Sequence, residues 1–162
     1  GVPRSQATVP GENSRDAARR SLEALATAAR PLGVRVAVEV IANELSSPGP
    51  LVHLVEVALE DFDVGICLDV GHAHLGGDLG EAIETVSEHL VAVHVHDNRG
   101  RNDEHLLPFE GTIDWAAALT ALQKVGYDGP ITFEVPSRGT TKDTLARSRA
   151  ARERMERMLA QR

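Results

Sequence analysis

The chain has 162 residues, 42% of them apolar and 25% charged, with a net charge of −7. That length suits one domain around a single core, no apolar run approaches the roughly 20 residues of a membrane span, and 24 acidic against 17 basic residues argue against broad nucleic-acid binding. A single cysteine, Cys67, excludes an intramolecular disulfide framework and makes a reducing cytoplasm the default compartment.

Residues 1–13 read as a polar lead-in loop without the apolar stretch of a signal peptide, and the chain opens on Gly rather than Met, as a fragment would. Ser14 then caps a helix running to about Ala29, with Ala18, Leu22, Leu25 and Ala29 at helical spacing. Pro31 and Gly33 end it. The run Val34–Ile41 is β-branched and too regular to be helical. A loop rich in Ser, Pro and Gly (Ser46–Pro50) leads to an apolar helix at Leu51–Leu59.

The cycle repeats three times. Strand Val64–Val70 precedes a glycine-rich loop and a helix over Gly80–Leu90. Strand Val91–His96 precedes a long polar loop and a helix over about Asp114–Val125. Strand Ile131–Val135 precedes a basic helix over about Lys142–Leu159. Four strands alternating with helices predict parallel βαβ units, and no internal linker divides residues 1–162.

The phase of the strands carries the functional signal. Val34, Val36, Val38 and Val40 share one face, with Ala37 and Glu39 opposite. Ile66, Leu68 and Val70 oppose Cys67 and Asp69; Val91, Val93 and Val95 oppose Ala92, His94 and His96; Ile131, Phe133 and Val135 oppose Thr132 and Glu134. In a barrel the bulky face packs under helices and the other lines the lumen. Ala37, Cys67, Ala92 and Thr132 then form a small interior layer. Glu39, Asp69, His94 and Glu134 form the next, at the C-terminal mouth where barrel enzymes place their chemistry. An ordinary doubly wound sheet with polar strand ends is the alternative, and four endings in one phase, all oxygen or imidazole donors, weigh against it.

Three carboxylates and an imidazole suit a divalent ion such as Mn²⁺, Mg²⁺, Co²⁺ or Zn²⁺. Without a cation, three carboxylates at close range cannot all stay ionised. Open coordination positions can polarise a substrate carbonyl.

Asp69-Val70-Gly71-His72, Val93-His94-Val95-His96-Asp97-Asn98 and Phe133-Glu134-Val135 resemble motifs of the xylose-isomerase-like superfamily, as do Gly111-Thr112-Ile113-Asp114-Trp115 and Gly126-Tyr127-Asp128-Gly129. The resemblance runs from about Ser14 to Leu159. It implies a (β/α)8 TIM barrel of which this chain carries about four βα units, strands five to eight, so that the chain is the C-terminal half of a barrel or pairs with a second copy as a homo-oligomer. It further implies a metal-dependent isomerase or epimerase of a small sugar, sugar acid or sugar phosphate. The metal ligands then fall on Glu39, Asp69, His94 and Glu134, and Glu39 and Glu134 act as an acid/base pair through an enediolate. The alternatives within the superfamily are an endonuclease IV-like zinc phosphodiesterase on abasic DNA and an inosose-dehydratase-like lyase. A binding module that kept the barrel without turnover is a further class.

By the same resemblance His72 contacts substrate or a further metal, and Asp103-Glu104-His105 supplies ligands to another zinc in the nuclease branch, leaving His105 a substrate or second-metal contact. His96, in phase with His94 but one layer higher, is expected to face substrate. Arg99 and Arg101 stand beside the mouth, where a guanidinium can hold a hydroxyl, carboxylate or phosphate. Solvated loop arginines are the plainer alternative. His53, His74 and His89 read as surface or packing residues, Trp115 as core, and Cys67 as packing rather than nucleophile.

Overall fold

The computed structural model describes residues 14–160, so the expected lead-in loop of residues 1–13 lies outside the described residues. Four parallel strands form one sheet in sequential order: β1 (Val36–Glu39), β2 (Val64–Asp69), β3 (Leu90–Val95) and β4 (Ile131–Phe133). The helices are α1 (Arg15–Ala29), α2 (Pro48–His53), α3 (Val70–Gly76), α4 (Leu79–Val86), α5 (Trp115–Lys124) and α6 (Thr141–Ala160). Unbroken neighbour-to-neighbour order with a helical crossover at each step is the βα repeat of a barrel wall.

Local chemistry sets the boundaries. Ser14 accepts a hydrogen bond from the Ala17 N–H and opens α1; Asp78 and Asp114 do the same for α4 and α5 through Glu81 and Ala117. The apolar helix expected at Leu51–Leu59 is α2 followed by a π-turn over Leu54–Ala58.

The bulky strand face is the core. Ile66, Leu68, Val93 and the α4 residue Ile83 are fully enclosed, and α4 packs on α2 and α5 while α6 packs on α5. On the other face, Ala37 and Thr132 are exposed while Cys67 is buried.

Two expectations need correction. The glycine-rich loop after β2 is helix α3, because the Asp69 carboxylate caps it at the very end of the strand. Its Gly71 serves close packing, since a Cβ there would collide with the His96 ring. Val91 does not join Val93 and Val95: β3 carries an extra residue where Ile66↔Leu90 gives way to Cys67↔Ala92, and this bulge turns Val91 over onto Gly65. The four mouth residues meet although they are not level in hydrogen-bond register. Glu39 is opposite Cys67, Asp69 is opposite His94, and Glu134 lies two residues past Thr132, itself opposite His94. A stagger of this kind is the shear of a tilted barrel wall, which brings such residues to one height along the axis.

Candidate metal centre

Each of the four side chains sits at the C-terminal end of its strand. Glu39 closes β1, Asp69 closes β2, His94 precedes the last residue of β3, and Glu134 follows β4, where its N–H donates to Val95 O at 3.0 Å. Their donor atoms all lie within 4.8 Å of one another. His94 Nδ1 is 2.9 Å from Glu134 Oε1 and 3.3 Å from Glu39 Oε1.

Asp69 is fully buried, and its two oxygens have different surroundings. Oδ1 accepts from the His72 N–H at 2.8 Å and lies 3.0 Å from His96 Nε2. Oδ2 is buried with no hydrogen-bond partner. Burial by itself pushes the Asp69 carboxyl up, yet His96 and the His72 N–H together outweigh it and hold the group below its ordinary value. A buried aspartate with one partnerless oxygen, grouped with two more carboxylates and an imidazole, is a donor set that fits a divalent cation.

A second group stands beside the first. His72, His96, Asp103 and His105 also offer donor atoms within 4.8 Å of one another. His72 Nδ1 donates to Val40 O (3.2 Å) and His105 Nδ1 donates to Glu134 O (2.9 Å). Both rings therefore turn Nε2 toward Asp103 Oδ2, at 3.3 and 3.2 Å.

His96 does not open onto the mouth as expected. It is fully buried, stacked on His105 with centroids 3.9 Å apart and edge-on to His72. Its approach to Asp69 is close but not aligned as a hydrogen bond, so both ring nitrogens are without one. Burial opposes its positive form, but the Asp69 and Asp103 carboxylates outweigh that and raise its pKa. Arg99 does not reach inward either: its guanidinium pairs with Glu104, which also accepts from the Arg99 N–H. Arg101 is exposed on the same loop. His74 bonds Thr112 and His89 bonds Glu56, both at the surface.

A cavity of about 610 Å³ opens between the β1–α2 loop and α3–α4, lined by Val40, Ile41, Pro48, Gly76 and Glu81. Of the residues in the two donor groups, only His72 lines it.

The model of the family described as the xylose isomerase-like TIM barrel matches residues 2–161. The chain belongs to that family. Among curated relatives, the uncharacterized protein MJ1311 of Methanocaldococcus jannaschii is 31% identical over 121 residues, 70% of this chain and 41% of that protein. Among solved structures, a D-tagatose 3-epimerase-like protein superposes with a TM-score of 0.76 at 26% identity, over 94% of this chain and 59% of its own. A xylose isomerase domain protein from Alicyclobacillus acidocaldarius gives 0.73 at 28%, over 96% and 61%. The chain thus spans only part of the length of these family members, consistent with four βα units of a TIM barrel.

Proposed function

We propose that this protein is a metal-dependent isomerase or epimerase of a small sugar or sugar derivative, its chain forming the C-terminal half of the barrel. One observation carries the reading: Glu39 and Glu134 approach the same imidazole from the two edges of the sheet, next to a buried Asp69 oxygen that has no partner. The D-tagatose 3-epimerase-like neighbour supports a sugar as the substrate class.

Glu39, Asp69, His94 and Glu134 would hold a divalent ion, Mn²⁺, Mg²⁺, Co²⁺ or Zn²⁺. The ion supplies electrostatic stabilisation of negative charge developing on a substrate oxygen. The glutamates do the proton work. Both are part-exposed, with about a third of each side chain open, so one can take the proton alpha to the carbonyl while the other returns one from the far side. Asp69, wholly enclosed, is a fixed anionic donor.

The test is isotopic. Incubated in D₂O with Mn²⁺ and a panel of ketoses, the protein is expected to form an epimer or isomer carrying deuterium at the carbon alpha to the carbonyl. Glu134→Gln should stop both, with metal occupancy measured alongside because the substitution also removes an anionic donor. Absence of any product and any exchange across the panel sinks the reading.

A second reading, an endonuclease IV-like zinc phosphodiesterase, is favoured by the second donor group. Two Nε2 lone pairs directed at one Asp103 carboxylate repel it unless a proton or cation lies between them.

A further inference from the structure

The loop between β3 and α5 carries Asp103 and His105, and it has almost no regular structure of its own. Its backbone is left-handed at two residues with side chains, His105 (φ 45°) and Phe109 (φ 76°). L residues hold that conformation only where their surroundings impose it. Among the described residues, one side chain accepts more hydrogen bonds from this segment than any other.

Asp97 lies two residues past the end of β3 and is fully buried. Its Oδ1 accepts from the N–H groups of Asn98 (2.9 Å) and Ile113 (3.2 Å). Its Oδ2 accepts from the Phe109 N–H (3.0 Å) and from the Trp115 indole Nε1–H (2.9 Å). Its backbone pairs with Leu106 in both directions, at 2.7 and 2.8 Å. Gly111 passes so close that a Cβ would strike Asp97 Oδ1 and Asn98 O. Asn98 then ties the assembly to α3 by donating to Gly71 O at 2.9 Å. One carboxylate thus joins the start, the middle and the end of the loop.

We propose that Asp97 is a positioning residue: by gathering four N–H groups it fixes the 98–114 loop, and so holds Asp103 and His105 against His72, His96 and the Glu134 carbonyl. This deepens the proposed reaction and rests on that reading for its kinetic consequence alone. The chemistry requires a carboxylate. Asparagine has one acceptor oxygen and places an NH₂ where two N–H groups already point, so one pair of donors loses its partner.

Trp115 is the only tryptophan, so its indole N–H gives a single resonance in ¹⁵N-labelled protein. In Asp97→Asn that resonance is expected to shift upfield, and amides of residues 99–110 to exchange about tenfold faster or more. In the epimerase assay kcat is expected to fall by about tenfold with a smaller change in KM, because the loop no longer holds the Glu134 carbonyl firmly in place. Should Asp97→Asn not fold, Trp115→Phe removes one donor only and is expected to give the same exchange pattern in milder form, centred on residues 106–113. An unchanged indole resonance with unchanged exchange overturns the proposal. So does faster exchange with an unchanged kcat, which leaves Asp97 a brace for the fold alone. If the parent protein turns over no sugar, the epimerase reading fails, and the exchange data still decide whether Asp97 holds the loop.

Discussion

Glu39 and Glu134 stand at opposite edges of the four-stranded sheet, yet both reach Nδ1 of one histidine, His94, at 3.3 and 2.9 Å. Three inter-strand spacings of about 4.8 Å would separate the edges of a flat sheet by roughly 14 Å. Curl and shear of the wall therefore bring the carboxylates together, and a cation or a shared proton between them removes their repulsion.

Divalent metal should accordingly stabilise the fold. At a concentration about 100 times Kd, linkage gives roughly 2.7 kcal/mol, a rise in Tm of about 5–10 °C for a chain of this size. Asp69→Asn should remove most of that rise. Thermal unfolding with and without Mn²⁺ or Zn²⁺ is the measurement, and an unmoved Tm in the parent protein would count against the metal centre.

His105→Ala separates the two functional readings. It removes the hydrogen bond to the Glu134 carbonyl and the ring stacked on His96. For an epimerase relying on Glu39 and Glu134, solvent exchange of the substrate proton should survive within about tenfold. For a zinc phosphodiesterase it should cripple cleavage of abasic DNA. Cleavage that depends on His105, without exchange on any sugar, selects the second reading.

Cys67 is chemically silent in the folded chain. Burial first, then the neighbouring Glu39, Asp69 and Glu134 carboxylates, push its thiol up from 9.0 to about 12. At pH 8 a disulfide reagent should label it only as fast as the protein unfolds. The linkage runs the same way: between pH 9 and 12 the unfolded chain releases this proton and the native chain keeps it, so stability from this group is intact below pH 9 and declines above it. Rapid stoichiometric labelling of native protein would contradict the burial.

Ile83 of α4 belongs to the apolar core. Ile83→Ala removes a fully enclosed side chain and should cost about 2–5 kcal/mol. Val57→Ala, 59% exposed, should change stability by less than about 0.5 kcal/mol. Urea denaturation compares the two directly.

Self-association is expected of the 162-residue polypeptide by itself. β1 and β4 are edges of the sheet, Leu32 and Val34 beside β1 are largely exposed, and Ala37 and Thr132 on the lumen side are exposed too. Sedimentation showing only a 17.4 kDa species at micromolar concentration would refute this.

Much of this protein is local and so was legible in the amino-acid order. Period-two alternation located four strands, and the capping residue Ser14 located a helix start. The same alternation set Glu39, Asp69, His94 and Glu134 in one phase, because side-chain direction along a strand depends only on parity. Parity says nothing of register. That Glu39 lies opposite Cys67 rather than Asp69, that β3 spends an extra residue turning Val91 over, and that Asp69 caps a helix where glycines suggested a loop were decided by strand pairing and packing. The same holds for His96 and Asp97. Adjacent in sequence and equally polar, they are both sealed from solvent, one stacked against His105 and the other bonded to four N–H groups from residues up to 18 positions away. Such non-local bonds exist only once the chain has closed on itself, because burial makes an unpaired polar group costly and only the folded loop supplies the partners.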